Sequence, residues 1–142
     1  MDGITGVTQV IQEPWADDVV VLSVPAAGAY LGVLRTATAG LAARLQFTLD
    51  EIEDLRIAVD EACAMLLPIA TPEAELSCLF TVTDDALMVE TSVPTTSTGP
   101  RLPAESFSWQ VLSALADEID AAIADGRASI RMTKRRPAMD GL

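Results

Sequence analysis

The stretch that decides the fold is DLRIAVDEACAML, residues 54–66. Just upstream, Thr48-Leu49-Asp50-Glu51 matches a capping box, in which the Thr hydroxyl and the Glu side chain each satisfy an amide that the first helical turn leaves unpaired. Phe47 before the cap and Ile52 inside it supply a hydrophobic staple. From there Ile52, Leu55, Val59, Cys63 and Leu66 recur at spacings of three and four, which is one apolar face of a helix. Pro68, with no amide to donate and a ring that crowds the preceding turn, ends it. Asp54, Glu61 and Met65 fall near a second line of the same helix, away from the apolar face. Asp60 is expected to be exposed and paired with Arg56, four residues earlier.

Working outward, residues 19–24 (VVVLSV) form a β-branched run closed by Pro25, and a buried strand is expected there. Leu31, Leu34, Leu41 and Leu45, with Thr38 filling the gap, make one stripe of another helix. Gly28, Gly32 and Gly40 weaken its intrinsic propensity, so packing must hold it, and its small residues allow a neighbour to come close. Downstream, residues 75–83 and 86–93 alternate partly around Asp84-Asp85, as a hairpin does. Residues 94–103 (PTTSTGPRLP) are a loop by composition. Residues 106–116 return to helical spacing, with Phe107, Val111 and Ala114 on one line and Trp109, Leu112 and Leu115 beside it. Residues 118–124 and 128–133 form a second antiparallel pair through Asp125-Gly126, a strong turn signal.

This order predicts an α+β fold: a two-layer sandwich with a mostly antiparallel or mixed sheet, one face covered by about three helices. A single domain is expected over residues 19–134. Residues 1–18 read as a flexible tail with a short extended piece at 7–11, and residues 135–142 as a C-terminal tail. The basic run Lys134-Arg135-Arg136 reads as solvated.

Half of the 142 residues are apolar and only six are aromatic, so the core is expected to be Leu, Val, Ile and Ala. The net charge of −12 excludes nucleic acid as the direct partner, since phosphate binding needs clustered Lys and Arg. It fits solubility, and equally an acidic surface that steers a basic protein. There is no histidine, which removes Ser-His-Asp and Cys-His catalysis and histidine metal sites together. Cys63 and Cys78 lack CxxC spacing and read as buried free thiols, with no metal site. The N-terminus has no signal-peptide pattern. The Ala-rich residues 26–43 are interrupted by Arg35 and by Gly32, Thr36, Thr38 and Gly40, so no membrane span is expected and the protein is expected in the cytoplasm.

At Glu61-Ala62-Cys63-Ala64-Met65 the chain resembles the E-A-C-x-N helix of the anti-sigma-factor serine kinases, a bacterial branch of the GHKL ATPases with the Bergerat fold, and especially their actinobacterial members. Leu115-Ala116-Asp117-Glu118-Ile119 resembles that family's segment after its lid helix, and Ile130-Arg131-Met132-Thr133-Lys134 its closing strand. The resemblance implies a histidine kinase-like ATPase fold and a chain that binds a sigma factor and keeps it from RNA polymerase. It also implies release by an anti-anti-sigma antagonist of the STAS type, and partner switching, often across a homodimer. Sigma binding in the family lies largely on the first helix, where Arg35 and Arg44 are the charged residues. Many members also use Mg·ATP to phosphorylate a serine on the antagonist. Glu61 stands at the family's general-base position, but Met65 replaces the asparagine that ligates Mg²⁺, and a thioether suits that hard cation poorly. The Asp-x-Gly-x-Gly loop is missing, and residues 94–109 hold a single glycine, Gly99. Glu61 is therefore expected to be vestigial and no cofactor is expected; Mg·ATP belongs to the alternative, an active serine kinase.

Overall fold

A computed structural model describes residues 17–98 and 106–136. Strand β1 (Asp18–Pro25) leads through a short 3-10 turn (Gly28–Tyr30) into helix α1 (Leu31–Arg44), and helix α2 (Leu49–Leu66) follows. A second 3-10 turn (Leu67–Ile69) precedes β2 (Glu75–Val82) and β3 (Ala86–Pro94), and then come helix α3 (Phe107–Leu115), β4 (Glu118–Ala124) and β5 (Arg127–Arg135). The strands form one sheet in the order β1-β2-β3-β5-β4, with every pair antiparallel. The two-layer α+β expectation holds, and among the described residues the sheet has no parallel pair to make it mixed.

Alternation along the strands sets the two layers. Leu76, Cys78 and Phe80 of β2, Leu87, Val89 and Val93 of β3, and Ala128, Ile130 and Met132 of β5 are buried. They share a core with Leu34 of α1, Leu55, Val59 and Leu66 of α2, and Leu112 of α3. Full burial of such a side chain contributes roughly 1.5–3 kcal/mol. Phe80 and Met132 are among the largest buried side chains, so the core is not purely aliphatic. On α1, Leu34, Thr38 and Leu45 are buried as the stripe predicts, while Leu31 and Leu41 stay half-buried. The Thr38 hydroxyl donates to the Leu34 carbonyl at 2.7 Å, so a polar group is accommodated in the core.

The helix signals were written locally and appear where expected. Glu51 N–H donates to Thr48 Oγ1 at 3.1 Å and Thr48 N–H to Glu51 Oε1 at 2.8 Å, completing the capping box. Asp125 (φ 56°) and Gly126 (φ 76°) both adopt the left-handed conformation that a tight two-residue hairpin demands. One cap has an unusual residue. At the end of α1, Gln46 N–H bonds Ala43 O and Phe47 N–H bonds Ala42 O, a Schellman motif whose left-handed position is Gln46 (φ 61°), not glycine.

Two expectations fail. The run at residues 19–24 is not a buried strand: β1 is an edge of the sheet, and Val19, Val20 and Val21 are exposed. Composition reports strand propensity but not which strand ends the sheet. The basic run is not a solvated tail either. Lys134 and Arg135 belong to β5, Arg136 N–H donates to Asp85 O at 2.6 Å, and its guanidinium reaches Leu45 O at 3.3 Å. Strand β1 begins one residue before position 19, and β5 ends one residue after position 134. The expected extended piece at 7–11 lies outside the described residues. Among the described residues, no helix is long and apolar enough to cross a membrane.

Candidate functional site

Helix α2 occupies the middle of the helical layer, packed against α1 on one side and α3 on the other. Its Leu55, Val59, Ala62, Cys63 and Leu66 face the sheet. Asp54, Glu61 and Met65 sit half-buried outside that face, as their spacing predicts. Among the described residues, no hydrogen bond or ion pair reaches Glu61. Met65 packs against the edge of the core.

Asp54 is engaged from the sheet. Lys134, its side chain 15% exposed, lies 3.9 Å from Asp54 Oδ2 and donates from Nζ to Leu115 O at 3.1 Å. The carbonyl is the last of α3, where the helix dipole favours a cation. Lys134 therefore ties β5, α2 and α3 together beside the Asp54–Glu61 line. Sequence reading missed this role because a basic residue at the end of a strand carries no sign of burial.

The N-terminus of α3 is closed by its own cap: Trp109 N–H donates to Ser106 Oγ at 3.1 Å. Trp109, Leu112 and Leu115 face the core, whereas Phe107 is 77% exposed and Ala114 exposed, so the Trp109 line is the buried one. Gly99, the single glycine of this region, lies outside the described residues.

The residues present do not suit Mg·ATP in the manner the resemblance implies. One turn after Glu61, where a hard cation needs an oxygen, stands the Met65 thioether. Among the described residues, no group of three or more His, Cys, Asp or Glu side chains is placed to hold a metal ion. No chemical step is derived through that group.

The two candidate cations of α1 are not brought together. Arg35 points across to α2 and binds Asp60, Nη1 to Oδ1 at 2.8 Å. Arg44 is exposed at the other end and lines a cleft with Asp17 and Asp18. The expected Asp60–Arg56 pair is absent: Arg56 turns back to Glu53 at 3.0 Å, three residues away. Local spacing left Arg56 two carboxylates to choose from, and Arg35, arriving from another helix, claimed Asp60. Cys63 and Cys78 are buried free thiols, as expected. Burial pushes both up to about 12, with smaller contributions from the Asp60 charge on Cys63 and from Cys63 on Cys78.

Over 116 residues, 76% of this chain and 68% of its counterpart, the sequence is 35% identical to the anti-sigma-F factor RsbW of Mycobacterium tuberculosis (strain ATCC 25618 / H37Rv). The chain belongs to the RsbW family. Within that family it is also 43% identical over 75 residues to the serine-protein kinase RsbW of Bacillus subtilis (strain 168), a match covering 51% of this chain and 47% of that protein. The serine-protein kinase RsbW of Bacillus velezensis is 39% identical over 75 residues. No family model matches the chain. RsbW relatives thus carry both names, anti-sigma factor and serine-protein kinase.

Proposed function

We propose that this chain is an anti-sigma factor that holds an RNA polymerase sigma factor by direct binding and does not transfer phosphate. The observation that carries the sigma partner is the 35% identity to an anti-sigma-F factor across 68% of that protein. The acidic balance of the chain supports encounter with a basic partner. Release falls to an anti-anti-sigma antagonist of the STAS type competing for the same protein, and a second copy of this chain completes the partner set. The reading places the protein in the cytoplasm with its targets.

The second reading is an active serine kinase of divergent pocket, favoured by the Bacillus relatives' name and by Glu61 at the general-base position. Against it stands Met65. The experiment joins two measurements on purified protein. Co-purification from the native cell should recover a sigma factor in stoichiometric amount. Titration with Mg·ATP should leave melting temperature and Trp109 fluorescence unchanged. Recovery of no sigma factor overturns the binding reading. A saturable Mg·ATP shift, with phosphate transfer to the antagonist abolished by Glu61→Ala, establishes the kinase instead.

A further inference from the structure

Helices α1, α2 and α3 all pack into the core formed by one face of the sheet. The strand register shows what the opposite face presents, because side chains alternate between faces along each strand. Val21, Leu79, Glu90, Arg131 and Asp120 stand in one line across the five strands on that face. The next line toward the start of β1 contains Val19, Thr81 and Met88, and the next in the other direction contains Ser23, Ser77, Ser92 and Ser129. The β1–β2 side is thus apolar and hydroxylic, and Val19, Val21 and Leu79 are 56, 66 and 36% exposed. The β5 side is charged, with Arg131 lying 3.9 Å from Glu90.

The chain itself supplies a cover of matching chemistry. Residues 1–16, MDGITGVTQVIQEPWA, precede β1 and contain Ile4, Val7, Val10, Ile11 and Trp15. They contain Asp2 and Glu13 but no Lys or Arg, which complements Arg127, Arg131 and Arg135 on the face. Strand β2 ends at Val82, opposite Asp18, so residues before Asp18 have no strand of this sheet to pair with. They join the sheet at the corner where Val19 and Thr81 stand side by side.

Reach and tethering favour the same occupant. From β1 to β5 the face spans three strand spacings, about 14 Å. Sixteen residues cover ~24 Å even as a helix, and more when extended. A segment joined directly to β1 is also presented to the face at a high effective concentration, which a free partner does not match.

We infer that residues 1–16 lie across the open face of the sheet, with Trp15 seated over Val19, Val21 and Leu79 and the earlier residues directed toward the β5 arginines. Trp15 brings the largest apolar surface of the segment to the corner where the exposed valines stand. The contact leaves the helical layer and the sheet edges to partners, and it does not depend on the sigma-binding reading.

The test uses the full chain carrying Trp109→Phe, which leaves Trp15 as its single tryptophan. Trp15 emission should be blue-shifted from that of the urea-unfolded chain, and acrylamide should quench it severalfold less. Neither value should change across a hundredfold range of protein concentration, because the contact lies within one chain. Leu79→Asp should return both to their unfolded values with circular dichroism unchanged. Val21→Glu, at the more exposed position, should do the same and serves as the second variant. Arg44→Glu, beside the cleft on the helical side of β1, should leave both values as they are. Deleting residues 1–16 from the wild type should raise the binding of a hydrophobic dye severalfold. A Trp15 as accessible in the folded chain as in urea overturns the inference. So does protection that survives both Leu79→Asp and Val21→Glu, that Arg44→Glu removes, or that is lost on dilution, and so does a deletion that leaves dye binding unchanged.

Discussion

Replacing Lys134 by methionine keeps the alkyl stem and removes the ammonium, which isolates what the charge does. In the native protein Nζ donates to Leu115 O at 3.1 Å and lies 3.9 Å from Asp54 Oδ2, with the side chain 15% exposed. A hydrogen bond from a charged group contributes about 1.5–3 kcal/mol. The cation at the end of α3 adds about 0.3–1 kcal/mol against the helix dipole. Asp54 is 39% exposed and beyond hydrogen-bonding distance, so its attraction is largely screened. Against these stands the cost of desolvating the ammonium, which methionine avoids. The net loss expected for Lys134→Met is ~2 kcal/mol, which at this size lowers Tm by roughly 6–8 °C. Urea denaturation followed by circular dichroism gives the number, with Arg131→Met as control. Arg131 sits in the same strand but is 51% exposed and 3.9 Å from Glu90, so its loss should stay below ~0.5 kcal/mol. Equal effects of the two substitutions would refute the assignment of Lys134 as the tie between α2, α3 and β5.

Gln46→Gly should stabilise the fold by about 0.5–1 kcal/mol, read as a higher urea midpoint, because glycine takes the left-handed Schellman position without a Cβ penalty. Thr48→Ala should cost about 1 kcal/mol by the same assay, leaving the Glu51 amide without its acceptor. The Arg35–Asp60 pair, with side chains 37 and 38% exposed, should show a coupling of no more than about 1 kcal/mol in a double-mutant cycle. The thiols make stability fall in alkali. Unfolded cysteines ionise near 9.0, while Cys63 and Cys78 hold their protons to about 12. Between those values the unfolded state binds fewer protons, so unfolding is favoured as pH rises from 9 toward 12, and below 9 the thiols add no slope. Cys78→Ala should make that alkaline slope shallower, and Ellman's reagent should label neither thiol in the native protein at pH 8.

What could be read from the chain was whatever is written within a few residues. The Thr48–Glu51 box, the Asp125-Gly126 turn and the face from Leu55 to Leu66 each depend on local geometry, and each is present. Sheet order is not local. It decided that Val19, Val20 and Val21 would face solvent and that Lys134, read as solvated, would be largely covered. Ion-pair choice is not local either, and Arg35 took the carboxylate that spacing alone had given to Arg56. For the candidate site, the line Asp54–Glu61–Met65 was legible because helical periodicity places it. Its engagement by Lys134 was not, because the two meet only when β5 joins the sheet.

These ion pairs also alter what the charge of the chain can do. Among the described residues, Arg35, Arg56, Arg131, Lys134 and Arg135 each sit beside a carboxylate of the same chain. To meet a partner, Arg35 must first leave Asp60, and a basic partner has no reason to draw it away. The carboxylates that remain, with Asp50 exposed and Glu61 half-buried on α2, set the sign of the field that an approaching protein meets. For a basic sigma factor, attraction of this kind belongs mainly to the encounter. Its association rate should therefore fall steeply with ionic strength, while the dissociation rate changes little. Stopped-flow mixing at 50 and 500 mM salt separates the two. If the salt dependence appeared in dissociation instead, the decisive contacts would be close, partly buried charge pairs, and the acidic surface would be a by-product of solubility.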